Sequence, residues 1–82
     1  MDNRQGIILR NRRNELHMTQ MQVAVEADIT LQEYQRFEYG DRKFSKCQMD
    51  TGLRICLTLE LDPFEVVFED EYDAVFPRKR KK

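Results

Sequence analysis

Residues 19–40, TQMQVAVEADITLQEYQRFEYG, contain the clearest structural signals of this sequence. They contain two apolar stripes with helical spacing, and a threonine precedes each of them. A threonine N-cap accepts a hydrogen bond from a backbone N–H of the first helical turn, and Gln or Glu three residues later completes a capping box. The pairs Thr19–Gln22 and Thr30–Glu33 fit this pattern. The stretch therefore predicts two short helices joined by a turn.

The residues within this stretch also indicate how the two helices pack. Ala24 is expected where they cross, because a small side chain lets two backbones approach closely. Asp28 lies in the turn, where a left-handed backbone is often needed, and aspartate tolerates that conformation. Two helices joined at a steep angle by such a turn form a helix-turn-helix, whose second helix can enter a DNA major groove. One shared interior is expected for Val23, Ala27, Ile29, Tyr34 and Phe37.

The same helix-start signature occurs three more times, at Asp2–Gln5, Ser45–Gln48 and Asp62–Glu65. Pro63 supports the last of these, because proline is favoured at the first helical position. Together the five signatures predict an all-α fold of five short helices. Their expected ranges are about 5–16, 20–26, 31–39, 46–59 and 63–68.

Each predicted helix has a set of apolar residues that we expect to face inward. In the first helix these are Ile8, Leu9 and Leu16. In the fourth they are Met49, Leu53, Cys56 and Leu57, and in the fifth they are Phe64, Val67 and Phe68. Gly40 follows the third helix, where a left-handed residue would end it. Gly52 lies inside the fourth helix, and either the close approach of another helix or a tolerated weakness accounts for it.

Composition places the chain among small helical domains without a membrane span. It has 82 residues, of which 40% are hydrophobic and 35% charged, and its net charge is −1. No apolar run approaches the roughly 20 residues that a membrane span needs, and no signal-peptide core follows Met1, so we expect a cytoplasmic protein. Residues 1–68 are predicted to form the domain. Residues 69–82 are predicted to be an acidic segment followed by the basic tail PRKRKK.

The residue types needed for catalysis or metal binding are not found in suitable patterns. Cys47 and Cys56 lack zinc-ligand spacing, and they are expected to be free, buried or half-buried thiols. His17 is the single histidine and is expected to be a turn residue. No nucleophile–base set or glycine-rich phosphate loop occurs. We therefore expect no catalytic site, no metal and no cofactor, and we do not expect an enzyme.

A set of motifs resembles a known family. TQMQVA, ADIT, YQRFEYGDR and LELDPFEV together resemble the phage-repressor and Cro-type helix-turn-helix proteins, the Xre family, over about residues 7–68. The resemblance implies a lambda-repressor-like five-helix domain that binds double-stranded DNA in a sequence-specific manner, commonly as a homodimer. It also implies that the protein is a transcription regulator, for which a repressor is the expected type.

Outward-facing residues of the third helix are the predicted base readers, because Tyr34 and Phe37 should face inward. Glutamine can contact adenine, arginine can contact guanine, and an apolar side chain can pack on a thymine methyl. The four predicted readers are Leu31, Gln32, Gln35 and Arg36. Phosphate contacts are predicted from the starts of the second and third helices and from the loop after Gly40. These residues are Gln20, Thr30, Arg42 and Lys43.

Two further expectations follow from the resemblance. Arg13 and Glu38 are expected to form a partly buried ion pair that joins the first helix to the end of the third. The fifth helix and the tail are the expected homodimer interface. Two other functions stay open at this point: an antitoxin of the same fold that binds a toxin protein, and a protein-interaction module that has lost DNA binding. The near-neutral net charge, Leu31 and Glu33 keep the last alternative open.

Overall fold

Short helices make up most of the chain that the computed structural model describes, which is residues 3–68. No strand occurs within these residues, so the predicted all-α class is confirmed. None of the described helices is long and apolar enough to cross a membrane. The predicted tail at residues 69–82 lies outside the described residues. The α-helices are α1 (Arg4–Glu15), α2 (Gln20–Glu26), α3 (Leu31–Tyr39), α4 (Met49–Leu59) and α5 (Pro63–Phe68).

Local side-chain chemistry explains the boundaries of α2 and α3. Thr19 and Gln22 form both halves of a capping box, with the Gln22 backbone N–H donating to Thr19 Oγ1 over 3.0 Å. Thr30 accepts the corresponding bond from the Glu33 backbone N–H at 3.0 Å. Gly40 ends α3 in the left-handed conformation, at φ 83°. The predicted starts of both helices and the predicted left-handed end of α3 are therefore confirmed.

The turn between α2 and α3 also has the predicted conformation. Asp28 adopts a left-handed backbone at φ 60°, which lets the chain reverse within residues 28–30. Ala24 is only 1% exposed, and its carbonyl accepts a hydrogen bond of 3.0 Å from the Ile29 backbone N–H. His17 and Glu60 have similar left-handed conformations at φ 57°, so three helix connections use a non-glycine residue in this region.

The core lies where α1, α2, α3 and α4 meet, and α5 closes one side through Val66. An edge-to-face contact joins Phe37 of α3 to Phe44, with ring centroids 5.8 Å apart and planes at 80°. Such ring pairs are favoured over face-to-face stacking because the ring edge is positive and the ring face negative. The buried apolar residues are Leu9, Val23, Ala24, Ala27, Tyr34, Phe37, Phe44, Ile55, Cys56, Leu59 and Val66.

The predicted start of the fourth helix is wrong. Residues Phe44–Lys46 form a separate 3₁₀ turn, and α4 begins only at Met49. Ser45 does not cap α4; the N-cap is Gln48, and its side chain makes no capping bond. Phe44 explains the break, because burying its ring against Phe37 holds the chain in the 3₁₀ turn before α4 can start.

The predicted inward face of α4 is also largely wrong. Met49, Leu53 and Leu57 are 79%, 49% and 80% exposed, whereas Cys56 is buried as predicted. The face that packs on the core instead contains Thr51, Gly52, Ile55, Cys56 and Leu59. The helix carries two apolar stripes, and the stripe with regular four-residue spacing is the one that faces outward.

In α5 the central inward residue is Val66 rather than Phe64. Val66 is fully buried, and Phe64 is 52% exposed. Val67 and Phe68 are partly buried, so their expected inward placement holds in part. Val67 also joins α5 to α1, because its carbonyl accepts a hydrogen bond of 3.2 Å from Gln5 Nε2.

The start of α1 differs from the predicted cap. Its N-cap is Asn3, whose side chain makes no capping bond and instead donates from Nδ2 to the Glu38 carbonyl over 2.8 Å. Asp2 lies outside the described residues. Gly6 allows this approach of α1 to the end of α3: a Cβ atom there would lie 2.5 Å from the Glu38 carbonyl oxygen and 2.6 Å from that of Phe37.

Candidate nucleic-acid interface

Helix α3 presents a polar face opposite its buried aromatic face. Tyr34 and Phe37 are 0% and 1% exposed, because they pack into the core. Gln32 and Arg36, one helical turn apart, are exposed on the other side. Leu31 and Gln35 are partly buried. The predicted base readers therefore divide into two residues that extend into solvent and two that lie at the edge of the domain.

The two predicted phosphate contacts at the helix starts already have partners within the domain. The Gln20 amide group donates from Nε2 to Glu38 Oε1 over 3.0 Å, and its Oε1 accepts a bond of 3.0 Å from Gln35 Nε2. The Thr30 hydroxyl is used to cap α3. A phosphate contact by the Gln20 side chain would require these bonds to be exchanged, because both ends of its amide are occupied.

The loop after Gly40 brings basic side chains next to the exposed face of α3. Arg42 and Lys43 are exposed, and the Arg42 backbone N–H donates to the Arg36 carbonyl over 3.2 Å. This bond holds the loop against the end of α3. Lys46 in the 3₁₀ turn is exposed as well. With Arg36, four exposed basic residues therefore lie between positions 36 and 46, and Asp41 is the exposed acidic residue among them.

Tyr39 was not among the residues selected from the sequence, although it adjoins this surface. It is 58% exposed, and its hydroxyl lies 3.3 Å from Gln20 Nε2. Helical spacing would have identified Tyr39 from the sequence, because residues three and four apart share a helix face. Tyr39 follows Arg36 by three positions and Gln35 by four.

Arg13 and Glu38 form a buried ion pair behind this surface. Arg13 Nε lies 2.6 Å from Glu38 Oε2, and the side chains are 13% and 0% exposed. A second bond of 3.2 Å joins Arg13 Nη2 to Glu38 Oε1, so the contact is bidentate. Arg13 Nη1 also donates to the Met18 carbonyl over 3.0 Å. The pair therefore connects α1, the α1–α2 turn and the end of α3.

The surroundings of Glu38 favour its ionised form. Burial alone would raise the pKa of Glu38, but hydrogen bonding to Arg13 and Gln20 together with the charge of Arg13 lowers that pKa below its ordinary value. Hydrogen bonding to Glu38 likewise raises the pKa of Arg13. Both groups are charged near neutral pH, so removing either one leaves the other without its counter-ion in the interior.

The exposed apolar residues of α4 and α5 line a groove on the domain. Met49, Leu53 and Phe64 border it together with Phe44 and Val67, and its volume is about 440 Å³. Leu57 continues the Met49–Leu53 stripe by a further turn and is 80% exposed. Single exposed apolar residues scattered over a surface are normal, whereas a continuous exposed apolar surface typically marks a contact with another molecule.

No protein-family model, curated protein or solved structure matches this chain. The basis for assigning a function is therefore the chemistry of its surfaces. The exposed side of α3 carries an amide and a guanidinium, and cations follow it in the adjoining loop. Amide and guanidinium groups can bond base edges, and cations can bond phosphates.

Proposed function

We propose that this protein is a DNA-binding transcription regulator of the Xre type, with α2 and α3 as a lambda-repressor-like helix-turn-helix. The observation that carries the proposal is the division of α3 into two faces. Its aromatic side is held in the core at Tyr34 and Phe37, while Gln32 and Arg36 extend from the other side. A helix braced in this way can be inserted into a major groove as a rigid element.

Gln32 and Arg36 are the proposed principal base readers. The glutamine amide can accept from adenine N6 and donate to N7, and the arginine guanidinium can donate to O6 and N7 of guanine. Four helical residues rise about 6 Å, so the two side chains would reach base pairs close to each other in one groove. Leu31 would add an apolar contact with a thymine methyl group.

Arg42 and Lys43, in the loop after the end of α3, are the proposed phosphate contacts, and Thr30 lies at the opposite end of that helix, at its start. Contacts of this type orient a protein on the duplex without reading its sequence. They also release counter-ions from the DNA, so binding should weaken as salt concentration rises. Because the net charge of the chain is only −1, attraction to DNA depends on this local cationic group. Bound over a promoter, such a protein would exclude polymerase, which makes it a repressor.

A homodimer is the proposed binding form, because one short recognition helix covers only a few base pairs. Two copies would read half-sites separated by one turn of DNA, about 34 Å. The proposed interface is the apolar stripe of Met49, Leu53 and Leu57 with Phe64 of α5. These four side chains are each about half or more exposed in the single chain, so pairing two copies would remove a continuous apolar surface from water.

Replacing Leu57 by lysine is expected to convert a dimer into a monomer. The side chain is 80% exposed, so the fold of a single chain should tolerate the change, whereas a lysine charge buried between two copies is costly. Sedimentation at high protein concentration measures the result. Val25→Lys on α2 is the matched control, since Val25 is an apolar residue that is 67% exposed. A wild-type protein that remains monomeric and binds a single half-site tightly would contradict the dimer.

Selection of bound duplexes from a random DNA pool, repeated at several salt concentrations, tests the proposed function most directly. A sequence-specific regulator should enrich a short and palindromic site, because a two-fold dimer reads two identical half-sites. Affinity for that site should fall as salt concentration rises. If no sequence is enriched at any salt concentration, the protein is not a sequence-specific regulator.

Two single variants should then affect binding in different ways. Gln32→Ala is expected to reduce discrimination at particular base pairs by about 5- to 150-fold, which corresponds to roughly 1–3 kcal/mol. Lys43→Ala is expected to weaken all duplexes alike and to make the salt dependence less steep. Titration of both variants against the selected duplex and its single-base variants measures this difference. Equal losses on every duplex for both variants would remove Gln32 from base reading.

The apolar stripe on α4 favours a second candidate function, binding of a different protein. An antitoxin that blocks a toxin protein, or an interaction module that has lost DNA binding, would use the same surface. The negative charge of Glu33 in the first turn of α3 and the near-neutral net charge are compatible with this candidate. A toxin gene next to this one, or a toxin that co-purifies stoichiometrically with the protein, would favour the antitoxin.

A further inference from the structure

A chain of hydrogen bonds extends from the buried ion pair to the polar face of α3 through Gln20. Glu38 Oε1 accepts from Gln20 Nε2 at 3.0 Å, and Gln20 Oε1 accepts from Gln35 Nε2 at 3.0 Å. Gln20 is the first residue of α2 and Gln35 lies in the middle of α3. These hydrogen bonds therefore join the start of α2 to the polar face of α3.

The direction of these bonds is set by Glu38. An ionised carboxylate only accepts hydrogen bonds, and the contacts with Arg13 keep Glu38 ionised. Gln20 must therefore turn its NH₂ group towards Glu38, which leaves its carbonyl oxygen facing α3. Gln35 supplies a donor opposite that oxygen at 3.0 Å, and the Tyr39 hydroxyl lies farther from it, at 3.5 Å. Reversing either amide would bring two oxygens or two NH₂ groups to a separation of about 3.0 Å.

We propose that Gln35 is a positioning residue that fixes α3 against α2, and that it does not read bases in DNA. This inference rests on the proposed function, and it revises the roles expected for two residues. Gln35 was a predicted base reader and Gln20 a predicted phosphate contact. Both amides are instead used in holding the two helices in register, so Gln32 and Arg36 are the polar base readers that remain.

A second observation supports this assignment. Gln20 and Gln35 are both partly buried, whereas Gln32 and Arg36 are exposed. A side chain that reads a base must give up only water when it binds. Gln35 would also have to give up its bond to Gln20, and that loss would leave the Gln20 oxygen with only the longer contact of 3.5 Å from the Tyr39 hydroxyl. Base reading by Gln35 is therefore less favourable than base reading by Gln32.

Comparison of Gln35→Glu with Gln32→Glu in the protein without DNA tests the network. Both variants add the same charge to α3, but only the first places a carboxylate against Gln20 Oε1. Gln35→Glu is expected to lower Tm by several degrees more than Gln32→Glu, because like oxygen atoms repel and Gln20 cannot reverse without losing Glu38. Equal changes in Tm would show that Gln35 makes no specific bond and would overturn the inference.

A double-mutant cycle provides an independent measure of the same network. In Gln20→Ala, Gln35→Ala and the double variant, the two single losses should not add, because each removes the same bond. Fully additive changes in Tm would overturn the network. Neither measurement involves DNA, so a negative result here is distinct from a failure of the proposed function.

Binding measurements test the positioning role itself. Gln35→Met keeps the length of the side chain and removes its amide, so affinity for the selected duplex is expected to fall about three- to tenfold with the base preferences unchanged. Gln32→Met should instead change the preference at particular base pairs. A change in base preference in Gln35→Met would overturn the positioning role. If the wild type enriches no duplex, the proposed function fails and the positioning role in DNA binding fails with it, whatever the melting experiments show.

Discussion

Replacing Glu38 by alanine is expected to lower the free energy of unfolding by about 3–5 kcal/mol. The Glu38 side chain is fully buried and Arg13 is 13% exposed, so the change leaves a guanidinium in the interior without its counter-ion. It also removes the acceptor for Gln20. For a domain of this size the loss is comparable with the total stability. Urea unfolding followed by circular dichroism measures the change, with the slope of the transition compared among variants.

Glu33→Ala is the matched control for this result. Glu33 lies on the same helix and has the same charge, but the helix start uses only its backbone N–H, which donates to Thr30. Its removal is expected to change the free energy of unfolding by about 0.5 kcal/mol or less. Equal and small effects of the two substitutions would show that the Arg13–Glu38 pair does not hold the domain together.

A double variant separates two contributions to the loss of stability. One is the cost of leaving a buried charge without its counter-ion, and the other is the loss of the hydrogen bonds. Arg13→Met with Glu38→Leu removes both charges and keeps most of the side-chain volume. Because an apolar pair can replace a buried ion pair with little loss, the double variant is expected to be more stable than Glu38→Ala alone. If it is less stable, the stabilisation comes from hydrogen bonds of the pair to its neighbours, such as those to Met18 and Gln20.

Gly6→Ala is expected to destabilise the domain by about 1–3 kcal/mol or more, the range found for overpacked interiors. The added methyl group would lie 2.5 Å from the Glu38 carbonyl oxygen and 2.6 Å from that of Phe37. Both are main-chain atoms, so relief requires α1 to move away from the end of α3. That movement would also disturb the bond from Asn3 to Glu38. Thermal and urea unfolding measure the loss.

Gly52→Ala is the control, because its surroundings are side chains rather than backbone. A methyl group there would lie 3.1 Å from Cys47 Sγ and 3.4 Å from an atom of the Phe44 ring. These groups can shift slightly, and alanine favours a helix interior over glycine by about 1 kcal/mol. The net effect on the free energy of unfolding is therefore expected to be small. A Gly6→Ala variant as stable as Gly52→Ala would contradict the close approach of α1 to α3.

The α2–α3 region could be predicted from the sequence because its signals are local. Thr19 and Thr30 start their helices through bonds to residues three positions later, and Asp28 and Gly40 adopt the left-handed conformations that their positions in the chain indicate. Each of these signals depends on residues that are close together in the sequence, so both partners can be identified without the structure. The exposed placement of Gln32 and Arg36 followed once Tyr34 and Phe37 were assigned to the interior.

Helix α4 is an element whose buried face could not be predicted from the sequence. Its sequence contains two apolar stripes, and the more regular one, Met49, Leu53 and Leu57, lies on the outside. The choice depends on where the preceding 3₁₀ turn leaves the chain, and that turn is held by the contact between Phe44 and Phe37. The partners in this contact are seven residues apart and belong to different elements, so the periodicity of α4 alone does not predict which of its stripes is buried.

Patterns within a few residues were enough to predict the all-helical class, the two helix starts at Thr19 and Thr30, and the polar side of α3. Packing between distant segments set which stripe of α4 is buried, how closely Gly6 lets α1 approach α3, and that Gln20 and Gln35 bond each other. The difference arises from the range of the forces involved. Capping and helical periodicity act between near neighbours in the chain, whereas packing and amide orientation depend on atoms that only the folded chain brings together.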